Sequence, residues 1–187
     1  MQILKNNLPQ KKVFNAVVSI GVFDGVHIGH VAIVKKMRQI ATQIGGKSVI
    51  ITFLNHPRCL FDPDFEFHTI TNETQKNALL EHLGVDIVVY LDFTKQLANM
   101  SYFEFLQWIS SQFEIHTMVL GYNHCFGKNR EGNILNISKI APKFGFELIV
   151  IEQQYANGIA VSSSRIRQAI ESDDISLANS MLGRNQY

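Results

Sequence analysis

Short apolar runs alternate along the chain with segments of helical periodicity. The runs are rich in Val, Ile and Leu without regular polar alternation, and they lie at 16–23, 47–53, 86–91, 116–121 and 146–152. Helical segments follow four of them, at 30–44, 72–84, 101–113 and 134–145. Strands buried on both faces have this pattern when helices connect parallel neighbours. The sequence therefore predicts an α/β protein with a doubly wound parallel sheet.

The predicted sheet places three loops on one rim. Ligands of doubly wound sheets bind at the carboxyl ends of the strands. This rim collects residues 21–30, the loop after Phe53 and the loop after Leu120. Residues 54–70 contain three phenylalanines and two prolines, which favours an ordered loop over a flexible tether.

Composition narrows the class of protein. The chain has 187 residues, is 46% hydrophobic and carries a formal net charge of +1 with interspersed charges, which is typical of one globular domain without a nucleic-acid patch. The N-terminus lacks the apolar core of a signal peptide, and no apolar run is long enough to span a bilayer. Cys59 and Cys125 form no C-x-x-C pair. We expect a cytoplasmic protein with neither nucleic acid nor membrane as a partner.

The stretch GVFDGVHIGH connects the first predicted strand to the first helix. His27 and His30 are three residues apart across the first helical turn, so both imidazoles can project from one face beside helix N–H groups. Gly25 permits a tight turn, and Gly29 lets a phosphate approach the backbone. These features predict an anion-binding cradle. A plain turn followed by a surface histidine pair is the alternative.

A metal site is a second alternative for the same stretch. Asp24, His27 and His30 have the spacing D-x-x-H-x-x-H and offer three ligand groups, but no fourth ligand follows at an obvious spacing. The sequence therefore assigns no metal here. We expect Asp24 to be a structural residue of the turn at the cleft.

The stretch VSSSRIR follows a strand and begins a helix. The hydroxyls of Ser162, Ser163 and Ser164 are placed to cap this helix or to bind phosphate oxygens. Arg167 is placed to bind phosphate as a forked donor. The stretch is a candidate for a second anion cradle, and helix capping alone is its alternative.

The remaining candidates lie on the other two loops of the rim. The loop after Leu120 combines an amide, an aromatic ring and two cations, from Asn123, Phe126, Lys128 and Arg130. His56 precedes Pro57, and a residue before proline is held extended, which directs His56 into the cleft. A solvated glycine turn and a surface histidine are the respective alternatives.

Four blocks, in this order, resemble one protein family. They are GVFDGVHIGH, TFLNHPRCLF, LGYNHCFGKNREGN and VSSSRIRQAI. The first resembles the H-x-G-H signature of the nucleotidyltransferase superfamily. The four together resemble the FAD synthetase (FMN adenylyltransferase) module of bacterial bifunctional riboflavin kinase/FAD synthetases, over nearly the whole chain. The resemblance implies a Rossmann-like nucleotidyltransferase fold.

The resemblance also implies a reaction: transfer of AMP from ATP to FMN, giving FAD and pyrophosphate, with Mg²⁺ accompanying ATP. It implies catalytic roles for His27, His30 and Arg167. The ATP-binding residues that it implies are Gly21, Phe23, Asp24, Gly25, His27, Gly29, His30, Gly121, Ser163, Ser164 and Arg167. The FMN-binding residues that it implies are His56, Asn123, Phe126 and Arg130.

The chain departs from the family pattern at three positions. Relatives usually have an aromatic residue where His124 stands, often an arginine where Cys125 stands, and many have a basic residue at Ala160. These departures predict altered affinity for flavin or nucleotide. The chain ends in MLGRNQY, which shares L-G-R with the L-G-R-x-Y pattern at which bifunctional relatives enter their riboflavin kinase domain. We therefore expect residues 1–187 to be a single FMN adenylyltransferase domain without the kinase.

Two other functions stay open. One is adenylyl or cytidylyl transfer to another phosphorylated small molecule, such as a pantetheine or nicotinate derivative, which the four-block resemblance disfavours. The other is a nucleotide- or flavin-binding module with weak turnover, which the three departures would produce.

Overall fold

The computed structural model describes residues 1–62 and 68–187. The strands are β1 (Gln2–Lys5), β2 (Val13–Ile20), β3 (Lys47–Phe53), β4 (Ile87–Leu91), β5 (Phe113–Gly121), β6 (Cys125–Phe126), β7 (Gly132–Asn133), β8 (Glu147–Ile151), β9 (Tyr155–Ala156) and β10 (Ile159–Ala160). The helices are α1 (Ile28–Gln43), α2 (Pro57–Phe61), α3 (Glu73–His82), α4 (Lys95–Asn99), α5 (Tyr102–Ser110), α6 (Ile134–Phe144), α7 (Ser163–Glu171) and α8 (Ile175–Leu182), with a 3₁₀ turn at Lys128–Arg130.

Six strands form a parallel sheet in the order β1-β4-β3-β2-β5-β8. The chain builds outward from β2 through β3 and β4 on one side and through β5 and β8 on the other. The order therefore reverses between β2 and β5, where a crevice is expected at the carboxyl ends of the strands. The predicted doubly wound parallel sheet is confirmed.

Alternate residues of β2 enter two cores on opposite faces of the sheet. Ala16 and Ile20 pack in the core that α5 and α6 cover, and Val17 packs in the core that α1 and α3 cover. Each fully buried Val or Ile side chain contributes about 1.5–3 kcal/mol to folding. The central strand is thus held on both faces, which fixes the position of the loop that follows it.

The first predicted strand, which is β2 in the structure, ends earlier than predicted. β2 stops at Ile20, whereas the apolar run continues to Phe23. Phe23, Gly25 and Val26 have φ of +52°, +81° and +40°, so the backbone leaves the extended region. Phe23 and Val26 are nevertheless buried, because the turn itself packs against the core. The apolar run therefore does not mark the end of the strand.

Several short elements were not predicted. β1 pairs with the edge of β4, and α4, α8 and the two small hairpins β6–β7 and β9–β10 are too short for a periodic signal. The predicted ordered loop at 54–70 contains α2, and its residues 63–67 lie outside the described part of the chain. None of the helices in the described ranges has the length and apolar character needed to cross a membrane.

Candidate active site

The glycine turn, residues 21–27, leads from the central strand into α1. Gly25 has φ +81°, and a Cβ at this position would lie 3.1 Å from the Ile70 side chain. Its N–H donates to Thr71 Oγ1 at 3.0 Å. Glycine is therefore needed here both for its backbone conformation and for space, which confirms the tight turn predicted at this residue.

His27 and His30 form a stacked pair at the start of α1. His27 is the N-cap residue, and its Nδ1 accepts the backbone N–H of His30 at 3.3 Å. The ring centroids are 3.7 Å apart with an interplanar angle of 14°. A Cβ on Gly29 would lie 3.1 Å from the His27 ring, so the missing side chain makes room for this imidazole. The predicted placement of both imidazoles on one face is confirmed.

Both imidazoles are neutral near pH 7. Burial lowers the pKa of His27 to about 4, and the charge of Arg184 contributes to the shift. Burial also places the pKa of His30 well below its usual value, with further contributions from His27 and Lys76. Because His27 Nδ1 accepts a hydrogen bond, its proton lies on Nε2. The pair thus offers neutral N–H donors, and a bound anion would favour their protonation.

A cavity of about 200 Å³ opens at the crevice between β2, β5 and β8. We call it the switch cavity, because the strand order of the sheet reverses at this point. Six residues predicted to bind ATP line it: Gly21, Phe23, His27, Gly29, His30 and Gly121. Asn123, Glu152 and Ser162 complete the polar part of the wall. The first N–H groups of α1 have no intrahelical acceptor, and a helix N-terminus favours negative charge. The cavity therefore has the chemistry of an anion site.

Asp24 is a structural hub beside the switch cavity. Its buried carboxylate accepts the N–H groups of Ile70 and Thr71 at 3.0 and 3.2 Å. Arg167 Nη1 donates to Asp24 Oδ2 at 2.7 Å, and Ser163 Oγ donates to the Asp24 carbonyl at 2.9 Å. One residue thus ties the glycine turn to the chain at 70–71 and to α7.

The second predicted cradle lies next to the switch cavity. Ser162 is the N-cap residue of α7, and its hydroxyl accepts the Arg165 N–H at 3.3 Å. Ser162 lines the cavity, whereas Ser164, two residues further along, is exposed in the first turn of α7. The other predicted ATP-binding residues that lie outside the wall are Asp24, Gly25, Ser163 and Arg167. Ligand contact by these residues stays a prediction.

The apolar cavity adjoins the switch cavity and has a volume of about 680 Å³. Its aromatic wall consists of Phe53, Phe61, Phe93, Phe105 and Phe126. Phe93 makes edge-to-face contacts with Phe53 and Phe61, with centroids 5.3 and 6.3 Å apart, and Phe105 contacts Phe126 at 5.5 Å. Ligand pockets of this size with apolar walls and a few polar groups suit a planar aromatic molecule. The two cavities share Ile20, Gly21, Val22, Asn123 and His124.

All four residues predicted to bind FMN line the apolar cavity: His56, Asn123, Phe126 and Arg130. His56 is extended, with φ −70° and ψ 131°, as predicted for a residue before proline, and it caps α2. Burial lowers its pKa, and the charge of Arg167 lowers it further. The structure thus brings these residues to one cavity, while their contact with a flavin stays a prediction.

The metal alternative has no support in the structure. Across residues 1–62 and 68–187, no three His, Cys, Asp or Glu side chains converge as a metal site would require. Asp24 bonds with Arg167 and two backbone N–H groups, and His27 uses Nδ1 within the helix cap. The D-x-x-H-x-x-H spacing therefore reflects a turn and a helix cap.

His124 occupies the boundary between the two cavities. Burial lowers its pKa to about 4, and the charge of Arg130 adds to the shift. Within the described ranges, its buried Nε2 has no hydrogen-bond partner. This departure from the family pattern therefore places a neutral imidazole where the wall faces both cavities.

Two cations of the site were missed by sequence reasoning. Lys76, on α3, is buried, and its Nζ donates to the Val22 carbonyl at 2.9 Å. Arg184 donates to the carbonyls of Gly25 and Val26 at 2.6 and 3.1 Å. Lys76 lies among the polar residues of α3 and gives no sequence signal. Arg184 lies in the final MLGRNQY, and its contact with the glycine turn arises only in the tertiary fold.

Comparisons with known proteins agree with this geometry. The family model of FAD synthetase matches residues 10–165. A bifunctional riboflavin kinase/FMN adenylyltransferase of Listeria monocytogenes is 33% identical over 170 residues, which cover 90% of this chain and 54% of that protein. The chain thus spans about half the length of the curated relatives that it matches.

Two solved structures share the fold. A Streptococcus pneumoniae protein described as a macrolide-efflux protein superimposes with a TM-score of 0.86 at 23% identity, over 98% of this chain and 71% of that one. A pantoate-beta-alanine ligase of Francisella tularensis, in complex with beta-gamma ATP and beta-alanine, gives a TM-score of 0.57 at 16% identity. The superposition covers 100% of this chain and 80% of that one. The match of the FAD synthetase family model over most of the chain, together with the relative that is one-third identical, shows that this chain belongs to the FAD synthetase family.

Proposed function

We propose that this chain is an FMN adenylyltransferase that transfers AMP from ATP to FMN and releases FAD and pyrophosphate. The observation that carries the proposal is the pair of adjoining cavities at the switch point of the sheet. One presents N–H donors at a helix N-terminus, and the other presents a wall of phenylalanine rings. A nucleoside triphosphate needs such donors for its phosphates, and a flavin needs such an aromatic wall for its ring, so the two cavities together suit both substrates.

The reaction requires positioning rather than a protein nucleophile. A phosphate oxygen of FMN attacks the α-phosphorus of ATP in line. The bond between that phosphorus and the oxygen that bridges it to the β-phosphate breaks, and pyrophosphate leaves. The attacking oxygen already belongs to FMN, so no serine, cysteine or lysine has to form a covalent intermediate. The protein's contribution is to hold the FMN phosphate in line with the α-phosphate of ATP, and to stabilise the negative charge that develops on the phosphate oxygens.

We assign that stabilisation to His27, His30 and the first N–H groups of α1. The imidazoles are neutral before ATP binds, so they act as N–H donors and become better proton acceptors as charge develops. Arg167 and the serines at the start of α7 are assigned to the β- and γ-phosphates. The flavin ring is assigned to the apolar cavity, with Phe126 against its face and His56, Asn123 and Arg130 around its polar groups.

Mg²⁺ is proposed to enter with ATP. The described residues offer no cluster of three His, Cys, Asp or Glu side chains for the ion, and the Asp24 carboxylate bonds with Arg167 and with backbone N–H groups. Mg²⁺ usually keeps several waters and is bound through substrate phosphates. We therefore assign no residue of this chain as a direct ligand to magnesium.

The unit of activity is proposed to be residues 1–187 as one domain. The names of the relatives couple this reaction to a riboflavin kinase, and we assign only the adenylyltransferase reaction to this half of their length. We place the reaction in the cytoplasm, because both cysteines are free thiols in the structure, as is typical of a reducing compartment.

A product assay with four acceptors tests the proposal. Pyrophosphate release from ATP and Mg²⁺ is measured with FMN, riboflavin, phosphopantetheine or nicotinamide mononucleotide, and the organic product is identified by mass. We expect FAD from FMN and no product from the other three. Adenylylation of another acceptor would overturn the substrate assignment. ATP binding without pyrophosphate release would instead indicate a binding module.

A further inference from the structure

The last five residues fold back onto the glycine turn. Arg184 Nη2 donates to the Gly25 carbonyl at 2.6 Å, and Nη1 donates to the Val26 carbonyl at 3.1 Å. These two carbonyls immediately precede His27, the N-cap residue of α1. The Arg184 guanidinium therefore binds the backbone one residue away from the proposed catalytic imidazole.

Neighbouring groups hold the guanidinium and its segment in place. Gln186 Oε1 accepts a hydrogen bond from Arg184 Nη2, and Gln186 Nε2 donates to the Ile70 carbonyl at 2.7 Å. Asn179 Oδ1 on α8 accepts the Gln186 N–H at 2.9 Å. The N–H of Ile70 binds Asp24, so the segment contacts the glycine turn directly and also through its structural hub.

The segment also supports the start of α1. Gly183 has φ +69°, and a Cβ at this position would lie 2.6 Å from Ile28 Cγ2. Ile28 is the first residue of α1. The close packing leaves no space for a side chain at Gly183, so α1 begins directly on the turn that leads to Arg184.

The glycine turn needs an external restraint. Val26 is β-branched and has φ +40°, a conformation that costs on the order of 1–3 kcal/mol and persists only where the surroundings enforce it. Phe23 has φ +52° in the same turn. The two charge-assisted hydrogen bonds from Arg184 to the Gly25 and Val26 carbonyls supply such a restraint.

We propose that Arg184 is a positioning residue for adenylyl transfer, which fixes the Gly25 and Val26 carbonyls and thereby holds His27 at the N-cap of α1. The inference rests on the proposed function. Arg184 acts through the backbone of the turn and does not touch the reacting atoms. A planar guanidinium suits this role because two of its nitrogens bind two successive carbonyls at once.

The test compares Arg184→Ala, Arg184→Lys and the control Lys143→Ala, which removes one exposed positive charge from α6. Steady-state kinetics give kcat and KM for ATP with FMN as acceptor. Amide hydrogen exchange is followed at His30 and Val31, whose N–H groups bind His27, and at β3, the neighbour of β2 in the sheet. Exchange at His30 and Val31 reports the helix cap whether or not the protein turns over.

We expect Arg184→Ala to lower kcat by about 10- to 100-fold with a much smaller change in the KM for ATP. Exchange at His30 and Val31 is expected to accelerate at least tenfold, while exchange in β3 is unchanged. Arg184→Lys is expected to recover part of kcat, because an ammonium can bind one of the two carbonyls. It also provides the measurement if Arg184→Ala does not fold.

Two results would overturn the inference. Exchange and kcat equal to those of Lys143→Ala would show that Arg184 does not hold the turn. Faster exchange with unchanged kcat would show that the contact is structural only. A wild-type protein that makes no FAD from FMN would reject the proposed function instead, and the exchange rates alone would then decide whether Arg184 fixes the cap.

Discussion

The histidine pair carries most of the proposed transition-state stabilisation at the scale of single residues. His27→Ala and His30→Ala each remove one N–H donor from the switch cavity, and the loss of such a donor typically costs about 10²- to 10³-fold in kcat. We expect that loss for each variant in the FAD assay. His82→Ala removes an exposed imidazole at the end of α3 and is the control. Near-normal kcat in either cavity variant would contradict the assignment.

Substitution of Lys76 is expected to lower activity without lowering stability. Its Nζ and Thr52 Oγ1 both donate to the Val22 carbonyl, at 2.9 and 3.0 Å. Lys76→Met removes a desolvated cation, so the melting temperature should stay equal or rise. The glycine turn loses one of its restraints, so kcat should fall by about 10- to 100-fold.

The control for this variant is Lys35→Met, which replaces an exposed lysine on α1. Thermal unfolding and FAD formation are measured on the same samples. A Lys76→Met protein with wild-type kcat would show that the Thr52 hydroxyl alone is enough to hold the Val22 carbonyl.

At the scale of elements, one carboxylate joins the glycine turn to α7. The Asp24–Arg167 ion pair is almost fully buried, with side-chain exposures of 4% and 19%. Breaking a buried pair by removing one partner destabilises a protein by about 3–5 kcal/mol, whereas an exposed pair contributes about 0–1 kcal/mol. Asp24→Asn should therefore lower the free energy of unfolding far more than Glu73→Gln, which breaks the exposed pair with Lys5.

Urea unfolding of both variants measures this difference. Equal losses in the two proteins would contradict the assignment of Asp24 as the hub between elements. If Asp24→Asn loses FAD formation under conditions where it stays folded, the Asp24–Arg167 ion pair also positions the site.

The elements of the sheet were predictable because each carries its own local signal. Strands such as β3 and β4 are continuous apolar runs, and helices such as α3 begin with a capping residue, here Asn72. The end of β2 was not predictable from the apolar run, because Phe23 and Val26 are buried within a turn. Local hydrophobicity reports burial and not backbone conformation.

The site was predictable only where chemistry is local in sequence. His27, His30 and Gly29 lie within one helical turn, so their mutual placement followed from spacing. Lys76 and Arg184 reach the same turn from distant segments, 54 and 158 residues away from their partners Val22 and Val26. Contacts of this kind depend on the packing of α3 and α8 against the rim, which no local pattern encodes.

At the scale of the whole molecule, buried neutral histidines make stability depend on pH. The pKa values of His27 and His124 are lowered to about 4, and those of His30 and His56 are also lowered. The unfolded chain therefore binds more protons than the folded one between pH 6.5 and 4. Their contribution is fully present above pH 6.5 and is lost as pH falls toward 4.

His124→Phe should reduce this dependence. Removing one such group lowers the slope of unfolding free energy against pH by up to about 1.4 kcal/mol per unit within that window. Urea unfolding between pH 7.5 and 4.5 measures the slope. Hydrogen bonds from Ser48 and the charge of Arg38 lower the pKa of Asp86, and this residue is present in both proteins, so its contribution cancels in the comparison. Equal slopes in the two proteins would contradict the prediction.

The two cavities should bind their ligands through separable groups, because the anion chemistry lies in one and the aromatic wall in the other. A ligand at 100 times its Kd stabilises the folded state by about 2.7 kcal/mol, which raises the melting temperature of a protein of this size by about 5–10 °C. We expect such shifts with FMN and with a non-hydrolysable ATP analogue. His27→Ala should reduce only the nucleotide shift, and Phe126→Ala only the flavin shift. If both variants lose both shifts equally, the cavities act as one site, and the division of chemistry between them is wrong.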